Sequence, residues 1–171
     1  MNSIVSVVVP TLAELAREPS IRRCIASIRR ATKHPCQIIV VINGGRFDKT
    51  VCDWLRQQND LLVAQVKEGS LPIALAYGRS LVLSEFFSFL DDDDEYLPDS
   101  LDKKINLLTH NPLVDIAVSN GFRRISGQDE CFFPGIELIE RDPLTSLFLR
   151  NWLASCGALF RSSTVGQPFF D

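Results

Sequence analysis

The chain has 171 residues, of which 46% are hydrophobic and 23% charged, and this suits one domain with a sizeable core. The 18 Lys and Arg residues are spread out and are outnumbered by 21 Asp and Glu residues, which excludes a nucleic-acid-binding footprint. The five cysteines include no CxxC pair, so reduced thiols are expected rather than disulfides or a zinc site. No stretch approaches the roughly 20 apolar residues of a membrane-spanning helix.

Short apolar runs alternate with helical patterns over the first 90 residues. The runs predict strands at 4–9, 37–42, 61–66 and 86–90, continuous enough to be buried on both faces. Ile21, Cys24 and Ile28 recur at the spacing of one helix face, and two further helical patterns cover 48–59 and 70–84. This β-α-β-α-β-α-β order predicts a three-layer α/β/α fold with a mostly parallel, Rossmann-like sheet.

The pattern changes in the second part of the chain. The remaining elements are predicted as a helix at 98–111, two strands in 115–126, a short helix at 143–150 and a strand at 155–161. Asp99 or Ser100 can cap the first of these helices. The two strands in "DIAVSNGFRRIS" are predicted to flank a turn at Asn120 and Gly121.

Five carboxylates follow the fourth strand directly, in "FSFLDDDDEYLPDS" (87–100). In an extended backbone Asp91 and Asp93 would share one face, and Asp92 and Asp94 the other. Carboxylates about 4 Å apart repel by roughly 1 kcal/mol in water and about 4 kcal/mol near a protein surface, so they need solvent or a cation. Mg²⁺ and Mn²⁺ bind such hard oxygen ligands, and Mg²⁺ often takes only one or two carboxylates besides substrate phosphates. The run therefore favours a divalent metal site, with a solvated loop before the next helix as the plainer alternative.

Several motifs together resemble family-2-type glycosyltransferases with the GT-A fold. They are "VSVVVPT" (5–11), "CIASI" (24–28), "QIIVVINGG" (37–45), "FSFLDDDDEYLPDSL" (87–101) and "GALFRSSTVGQPFFD" (157–171). The acidic segment with "YLPDSL" is the most specific part of a resemblance that covers nearly the whole chain. It implies one GT-A-like domain over 1–171, with 1–98 as the nucleotide-sugar-binding half and 99–171 as part of the acceptor half.

The resemblance also implies a set of site residues. The nucleotide sugar would contact Pro10, Thr11, Asn43, Gly69, Gly78, Asp91 and Asp92, and a metal ion would contact Asp91 and Asp93. Pro10 and Thr11 would lie against the base and the ribose. Gly69 and Gly78 fall in the segment that passes beneath the sugar nucleotide in the family.

The family's metal-binding Asp-x-Asp motif matches Asp91 to Asp93. Asp93 is favoured as the ligand of Mn²⁺ or Mg²⁺, and Asp91 as a contact to the ribose or to a water on the metal. The roles of Asp92 and Asp94 stay open, because related members use a shifted pair.

Two positions depart from the family pattern. Many members carry an aspartate that reads uracil after the second strand, whereas here Ile42 is followed by Asn43. A uridine base loses its expected partner unless Asn43 substitutes, so UDP, GDP and dTDP all remain open. The usual Arg-Asn before the glycine of the third helix is absent from "LAYGRS", where Arg79 follows Gly78.

The implied activity is metal-dependent, inverting transfer from a nucleotide-diphosphate sugar to a saccharide or lipid-linked acceptor, in polysaccharide biosynthesis. Acceptor contacts are expected from 120–122 and 152–160. The family's general base usually follows the segment that matches "GQPFFD" (166–171), so it is expected beyond Asp171. A cytoplasmic location is implied, with peripheral association at the inner face of a membrane left open.

Two rival readings follow from the same residues. The missing base keeps open a non-catalytic nucleotide-binding or scaffold domain of glycosyltransferase type. A nucleotidyltransferase would share a metal and an α/β fold but expects a glycine-rich signature after the first strand. "PTLAELAREPS" (10–20) contains no glycine, which ranks this second alternative well below the first.

Overall fold

The computed structural model describes residues 3–166 and places a six-stranded sheet between helical layers. The strands are β1 (Val5–Thr11), β2 (Cys36–Asn43), β3 (Leu61–Val66), β4 (Phe86–Phe89), β5 (Ile116–Val118), β6 (Phe122–Ile125), β7 (Gln128–Cys131) and β8 (Ala158–Arg161). The helices are α1 (Glu18–Ala31), α2 (Lys49–Arg56), α3 (Leu71–Ser80), α4 (Ser100–His110), α5 (Ile136–Arg141) and α6 (Pro143–Leu149), with 3₁₀ turns at Leu15–Arg17 and Ser155–Gly157. Most of the "GQPFFD" ending, on which the expectation about the general base rests, lies outside the described residues.

The sheet has the order β3-β2-β1-β4-β8-β5. Its first four strands are parallel, while β8 runs antiparallel to both β4 and β5. Every residue of β1 is buried, as expected for a central strand that is covered on both faces. The predicted α/β fold with a mostly parallel sheet is confirmed.

The two faces of the sheet carry separate apolar clusters. Val7 of β1 packs in the cluster that includes the buried side chains of α1, α2 and α4. Val8, the next residue, belongs to the cluster beneath α3. There Phe87 stacks on Phe160 with ring centroids 5.0 Å apart. Burying an aromatic side chain of this size contributes about 1.5–3 kcal/mol, so the α3 face rests on this pair as well as on its aliphatic residues.

The first strand is longer than predicted, because it continues through Pro10 to Thr11. Pro10 pairs with Val41 of β2. On the other side, the pairing with β4 already ends at Val8 and Phe89. The missing N–H of proline therefore removes no ladder hydrogen bond at this position.

The predicted pairing of the two strands in 115–126 is wrong. β5 joins the main sheet beside β8, and β6 instead pairs with β7 in a separate hairpin. The tip of that hairpin is Ser126 and Gly127, whose φ angles of 49° and 82° are those that a two-residue hairpin turn requires. Asn120 lies outside any hairpin turn, and its side chain donates to the carbonyl oxygen of Phe133 at 2.7 Å.

The expected cap of α4 is also wrong. Asp99 occupies the N-cap position with a φ of 57°, but its side chain makes no capping hydrogen bond. The carboxylate lies instead 3.5 Å from the ammonium group of Lys33. The hydroxyl of Ser100 is buried without a hydrogen-bond partner among residues 3–166.

Residues 120–156 form an excursion from the main sheet. The chain leaves after Ser119 and returns at Gly157, where the Ser119 N–H donates to the Gly157 carbonyl at 3.0 Å. We call this pair of positions the neck of the excursion. A Cβ on Gly157 would lie 2.7 Å from the Ser119 carbonyl oxygen, so the two backbones are in direct contact there. Lys104 of α4 clamps the neck by donating to Ser119 Oγ at 3.2 Å and to the Gly157 carbonyl at 3.0 Å.

Two expectations from composition can be checked on the structure. All five cysteines are free. Among residues 3–166, every helix is too short or too polar to cross a membrane.

Candidate functional site

The acidic run forms a turn at the carboxyl edge of the sheet. β4 ends at Phe89, and the Asp94 N–H donates to the Asp91 carbonyl at 3.0 Å. The extended backbone that would place alternate aspartates on opposite faces is therefore wrong. The turn buries Asp92, which is 4% exposed, and leaves Asp91 and Asp93 exposed.

Asp92 is held by residues from the end of β1 and from the segment after it. The Thr11 hydroxyl donates to Asp92 Oδ2 at 2.5 Å. Arg17 Nε donates to Asp92 Oδ1 and Oδ2 at 3.0 and 3.1 Å, and Arg17 Nη2 also contacts Oδ1. The Ala13 N–H in turn donates to Thr11 Oγ1 at 2.9 Å, which fixes the hydroxyl. Both oxygens of this buried carboxylate are thus satisfied within the protein.

Arg17 also reaches the next aspartate along the turn. Its Nη2 lies 3.1 Å from Asp93 Oδ2. Hydrogen bonding to Asp92 is the main cause that raises the pKa of Arg17 above its ordinary value, against the opposing effect of burial. Arg17 was not among the predicted site residues, because no local sequence pattern links it to aspartates more than 70 residues away.

Asp91 carries a carboxylate that interacts with the three other aspartates of the turn. Desolvation raises its pKa, and the charges of Asp94, Asp93 and Asp92 add to that effect, which Arg17 only partly offsets. The part of this shift that comes from the neighbouring aspartates reflects negative charge around Asp91. A cation placed there would relieve the repulsion.

A network of buried polar groups holds the segment that follows the acidic turn. The Tyr96 hydroxyl lies 2.7 Å from Ser88 Oγ of β4, and the Tyr96 N–H donates to Ser27 Oγ of α1 at 3.0 Å. Ser88 Oγ also donates to the Ala158 carbonyl at 2.5 Å. These contacts anchor the segment after the aspartates to α1, β4 and β8. Serines within otherwise apolar runs were the available sequence signal for this network.

The ends of β2 and β3 provide a second part of the edge. Asn43 Oδ1 accepts a hydrogen bond from the Ser70 N–H at 2.9 Å. Gly44 has a φ of 87°, and a Cβ there would lie 3.1 Å from Gly69 Cα. No atom of residues 3–166 lies within 4 Å of a Cβ built on Gly69 itself. The structure thus brings the predicted residues Asn43 and Gly69 together.

Pro10 and Gly78 occupy different places. Pro10 is a buried residue near the end of β1, directly before Thr11. Gly78 lies in α3 about two turns from its start, and a Cβ there would fall 2.3 Å from Val8 Cγ1 and 3.1 Å from Val41 Cγ2. Its visible role is to let α3 approach the sheet closely. The predicted contacts of both residues with a nucleotide sugar remain predictions.

The fit of a divalent metal depends on what else would bind the ion. Carboxylates are the donors that Mg²⁺ and Mn²⁺ prefer, and Asp91 and Asp93 present them at the edge of the sheet. Within residues 3–166, no group of three or more His, Cys, Asp and Glu residues could hold a metal ion. The residues therefore fit an ion that takes one or two carboxylates and completes its shell with other oxygens.

Comparison with known families adds to this geometry. The family model described as glycosyl transferase family 2 matches residues 6–150, most of the chain. This chain belongs to glycosyltransferase family 2. The match includes the strand that ends in Thr11, the acidic turn and most of the excursion.

Known proteins are similar to this family member in sequence or in fold. An uncharacterized glycosyltransferase of Rickettsia typhi is 30% identical over 95 residues, which cover 56% of this chain and 30% of that protein. The crystal structure of S. aureus TarS 1–349 matches with a TM-score of 0.64 and 19% identity, over 96% of this chain and 48% of TarS. Its complexes with UDP and with UDP-GlcNAc match with TM-scores of 0.66 and 0.63, at 18% and 19% identity, covering 96% of this chain and 48% and 46% of those chains. The chain thus spans less than half the length of these relatives and has the fold of TarS.

Proposed function

We propose that this family 2 chain binds the donor in a metal-dependent, inverting transfer from a nucleotide-diphosphate sugar to a saccharide or lipid-linked acceptor. The observation that carries the proposal is the meeting of the acidic turn, Thr11 and Asn43 at one edge of the sheet. Ligands of open α/β sheets bind outside the carboxyl ends of the strands. Structures of the similar TarS with UDP and UDP-GlcNAc support a nucleotide sugar as the ligand.

The nucleoside would lie across the ends of β1 and β2. Pro10 and Thr11 would line the ribose side, and Gly69 leaves open space near the end of β3. Asn43 uses its Oδ1 to accept from the Ser70 N–H, and its Nδ2 donates to no other group of residues 3–166, so two donors could serve a ligand. Those donors match a base carbonyl, which uracil, thymine and guanine all carry. UDP, GDP and dTDP are therefore the candidates to compare.

The diphosphate would lie above the acidic turn. Mn²⁺ or Mg²⁺ held by Asp93 and Asp91 would supply Lewis-acid stabilisation of the leaving diphosphate. Asp92 would act through its bonds to Thr11 and Arg17, which fix the backbone from which Asp91 and Asp93 project. The acceptor would be bound by the excursion and the returning strand.

Calorimetric titration of this chain with UDP, GDP and dTDP, each with and without Mn²⁺, tests the donor site. We expect one diphosphate to bind at least tenfold more tightly with Mn²⁺, and Asp93→Asn to remove most of that gain. Asp129→Asn is the matched control, because Asp129 pairs with Arg124 in the exposed hairpin of β6 and β7. Absence of binding by all three diphosphates would contradict the proposal and favour the non-catalytic scaffold.

A further inference from the structure

Arg17 lies where the acidic turn would receive a cation. Its Nε and Nη2 bond to Asp92, and its Nη2 also lies 3.1 Å from Asp93 Oδ2. One guanidinium therefore faces two adjacent aspartates of the turn, and one of these, Asp93, is the favoured metal ligand. Because a guanidinium stays protonated at all accessible pH values, this positive charge is permanent.

The placement of Arg17 is fixed by burial of its partner. The Asp92 side chain is 5% exposed, whereas the side chains of Arg17 and Asp93 are 36% and 58% exposed. Among residues 3–166, releasing Arg17 would leave the buried Asp92 carboxylate with only the Thr11 hydroxyl as a hydrogen-bond donor. The guanidinium is thus held to the turn by Asp92, while Asp93 faces solvent and remains accessible.

A divalent ion on Asp93 would lie within a few ångströms of this guanidinium, and like charges at that distance repel. The carboxylates of the turn attract the ion, but Arg17 cancels part of that attraction, and residues 3–166 contain no group of three metal-ligating side chains to hold the ion. A nucleoside diphosphate would change both the charge around the ion and the number of its ligands. Its phosphate oxygens add ligands for the ion, and its negative charge offsets the combined charge of the ion and Arg17.

We propose that Arg17 makes binding of a divalent metal at the acidic turn conditional on a nucleoside diphosphate. The inference rests on the proposed donor site and assigns Arg17 a positioning role at it. Metal and diphosphate would bind together, and the ion alone would bind poorly. The coupling is reciprocal, so the metal must increase the affinity for the diphosphate by the same factor.

Mn²⁺ titrations followed by electron paramagnetic resonance test this inference. Free protein is compared with protein saturated with UDP, GDP or dTDP, after correction for Mn²⁺ bound by each nucleotide alone. We expect wild-type protein to bind Mn²⁺ at least tenfold more weakly without the nucleotide. Arg17→Gln should bind Mn²⁺ alone about tenfold more tightly, because a permanent positive charge beside Asp93 is gone.

Two further variants separate the charge of Arg17 from general effects. Arg22→Gln removes one positive charge from α1, where Arg22 pairs with Glu18 at an exposed site, and should leave Mn²⁺ binding unchanged. Arg17→Lys keeps the charge and should bind Mn²⁺ as the wild type does. Circular dichroism and a thermal midpoint for each variant show whether it is folded.

Several results would overturn the inference. Equal Mn²⁺ affinity of the wild type with and without a diphosphate overturns it, even if Arg17→Gln fails to fold. Unchanged Mn²⁺ affinity in a folded Arg17→Gln variant does so as well. If the wild type binds none of the three diphosphates, the donor site itself fails, and the inference fails with it. The wild-type titrations therefore distinguish the two failures.

Discussion

Apolar side chains are buried to different extents in two regions of the molecule. One region is the main sheet with its flanking helices, and the other is the excursion at 120–156. In the sheet, strands such as β1 and β4 consist entirely of buried residues. In the excursion, neither α5 nor α6 has a buried residue, and Phe148 and Leu149 are 93% and 83% exposed. Both regions belong to one chain of ordinary composition, so the difference lies in how much of each surface its own chain covers.

The main sheet buries its apolar side chains within residues 3–166, whereas α5 and α6 do not. The site residues of the acidic turn rest on a core that α1, α3 and α4 close on both sides. The contacts of α5 and α6 are mainly with each other. A single solvated layer cannot bury an apolar face. Packing within residues 3–166 therefore explains the edge of the sheet that carries the acidic turn, but not the apolar side chains of the excursion.

The largest difference between the two regions should appear when one phenylalanine in each is replaced by alanine. Phe87→Ala removes a ring that is fully buried between Phe89 and Phe160, and should lower the free energy of unfolding by about 3–5 kcal/mol. Phe148→Ala should change it by less than about 0.5 kcal/mol. Urea unfolding monitored by circular dichroism measures both. A loss of more than about 2 kcal/mol for Phe148→Ala would show that the excursion has a packed core of its own.

The junction of the two regions can be probed through pH. Burial lowers the pKa of Lys104 from 10.5 to about 8. Between these values the unfolded chain binds the proton and the folded chain does not, so this lysine makes stability rise with pH across that window. Its full penalty applies below pH 8.

Lys104→Met removes that dependence. Relative to the wild type, the variant should gain about 3 kcal/mol in free energy of unfolding as pH falls from 10.5 to 8. Urea midpoints at several pH values in this range measure the gain. Taking the difference between the two proteins removes the contribution of titratable groups that do not interact with Lys104. Parallel pH profiles for the two proteins would show that Lys104 is solvated and does not clamp the neck.

A smaller effect is expected at the neck itself. Gly157→Ala would place a methyl group 2.7 Å from the Ser119 carbonyl oxygen, and the backbone must shift to admit it. We expect a loss of about 1–3 kcal/mol, with faster amide exchange at Ser119 and its neighbours. Gly121→Ala is the matched control, because nothing lies within 4 Å of a Cβ at that position. Equal stability of the two variants would contradict a tightly closed neck.

The strands of the parallel sheet could be predicted because a strand buried on both faces needs a continuous apolar run, and such runs are visible locally. The carboxyl edge followed from their order. The turn of the aspartates could not be predicted, since identical residues give no signal for where the backbone reverses. The bond from Arg17 to Asp92 joins distant parts of the chain and depends on how the 3₁₀ turn at Leu15–Arg17 meets the end of β4.

The hairpin error has a different cause. Asn120 and Gly121 form a sequence typical of a two-residue turn, but the strands on either side of them found different partners. Local turn chemistry favours a hairpin only when both strands can pair with each other. Here β5 pairs with β8, which is distant in sequence and lies between β4 and β5 in the main sheet.

The contact between Ser119 and Gly157 allows the segment between them to vary in evolution independently of the main sheet. Because the backbone departs and re-enters at one point, the length and sequence of the intervening segment can change without altering strand register anywhere else. Related proteins could exchange this whole segment and keep the edge of the sheet that we propose as the donor site. If the segment binds the acceptor, as we propose, acceptor preference could change by replacement of the part of the chain between Ser119 and Gly157.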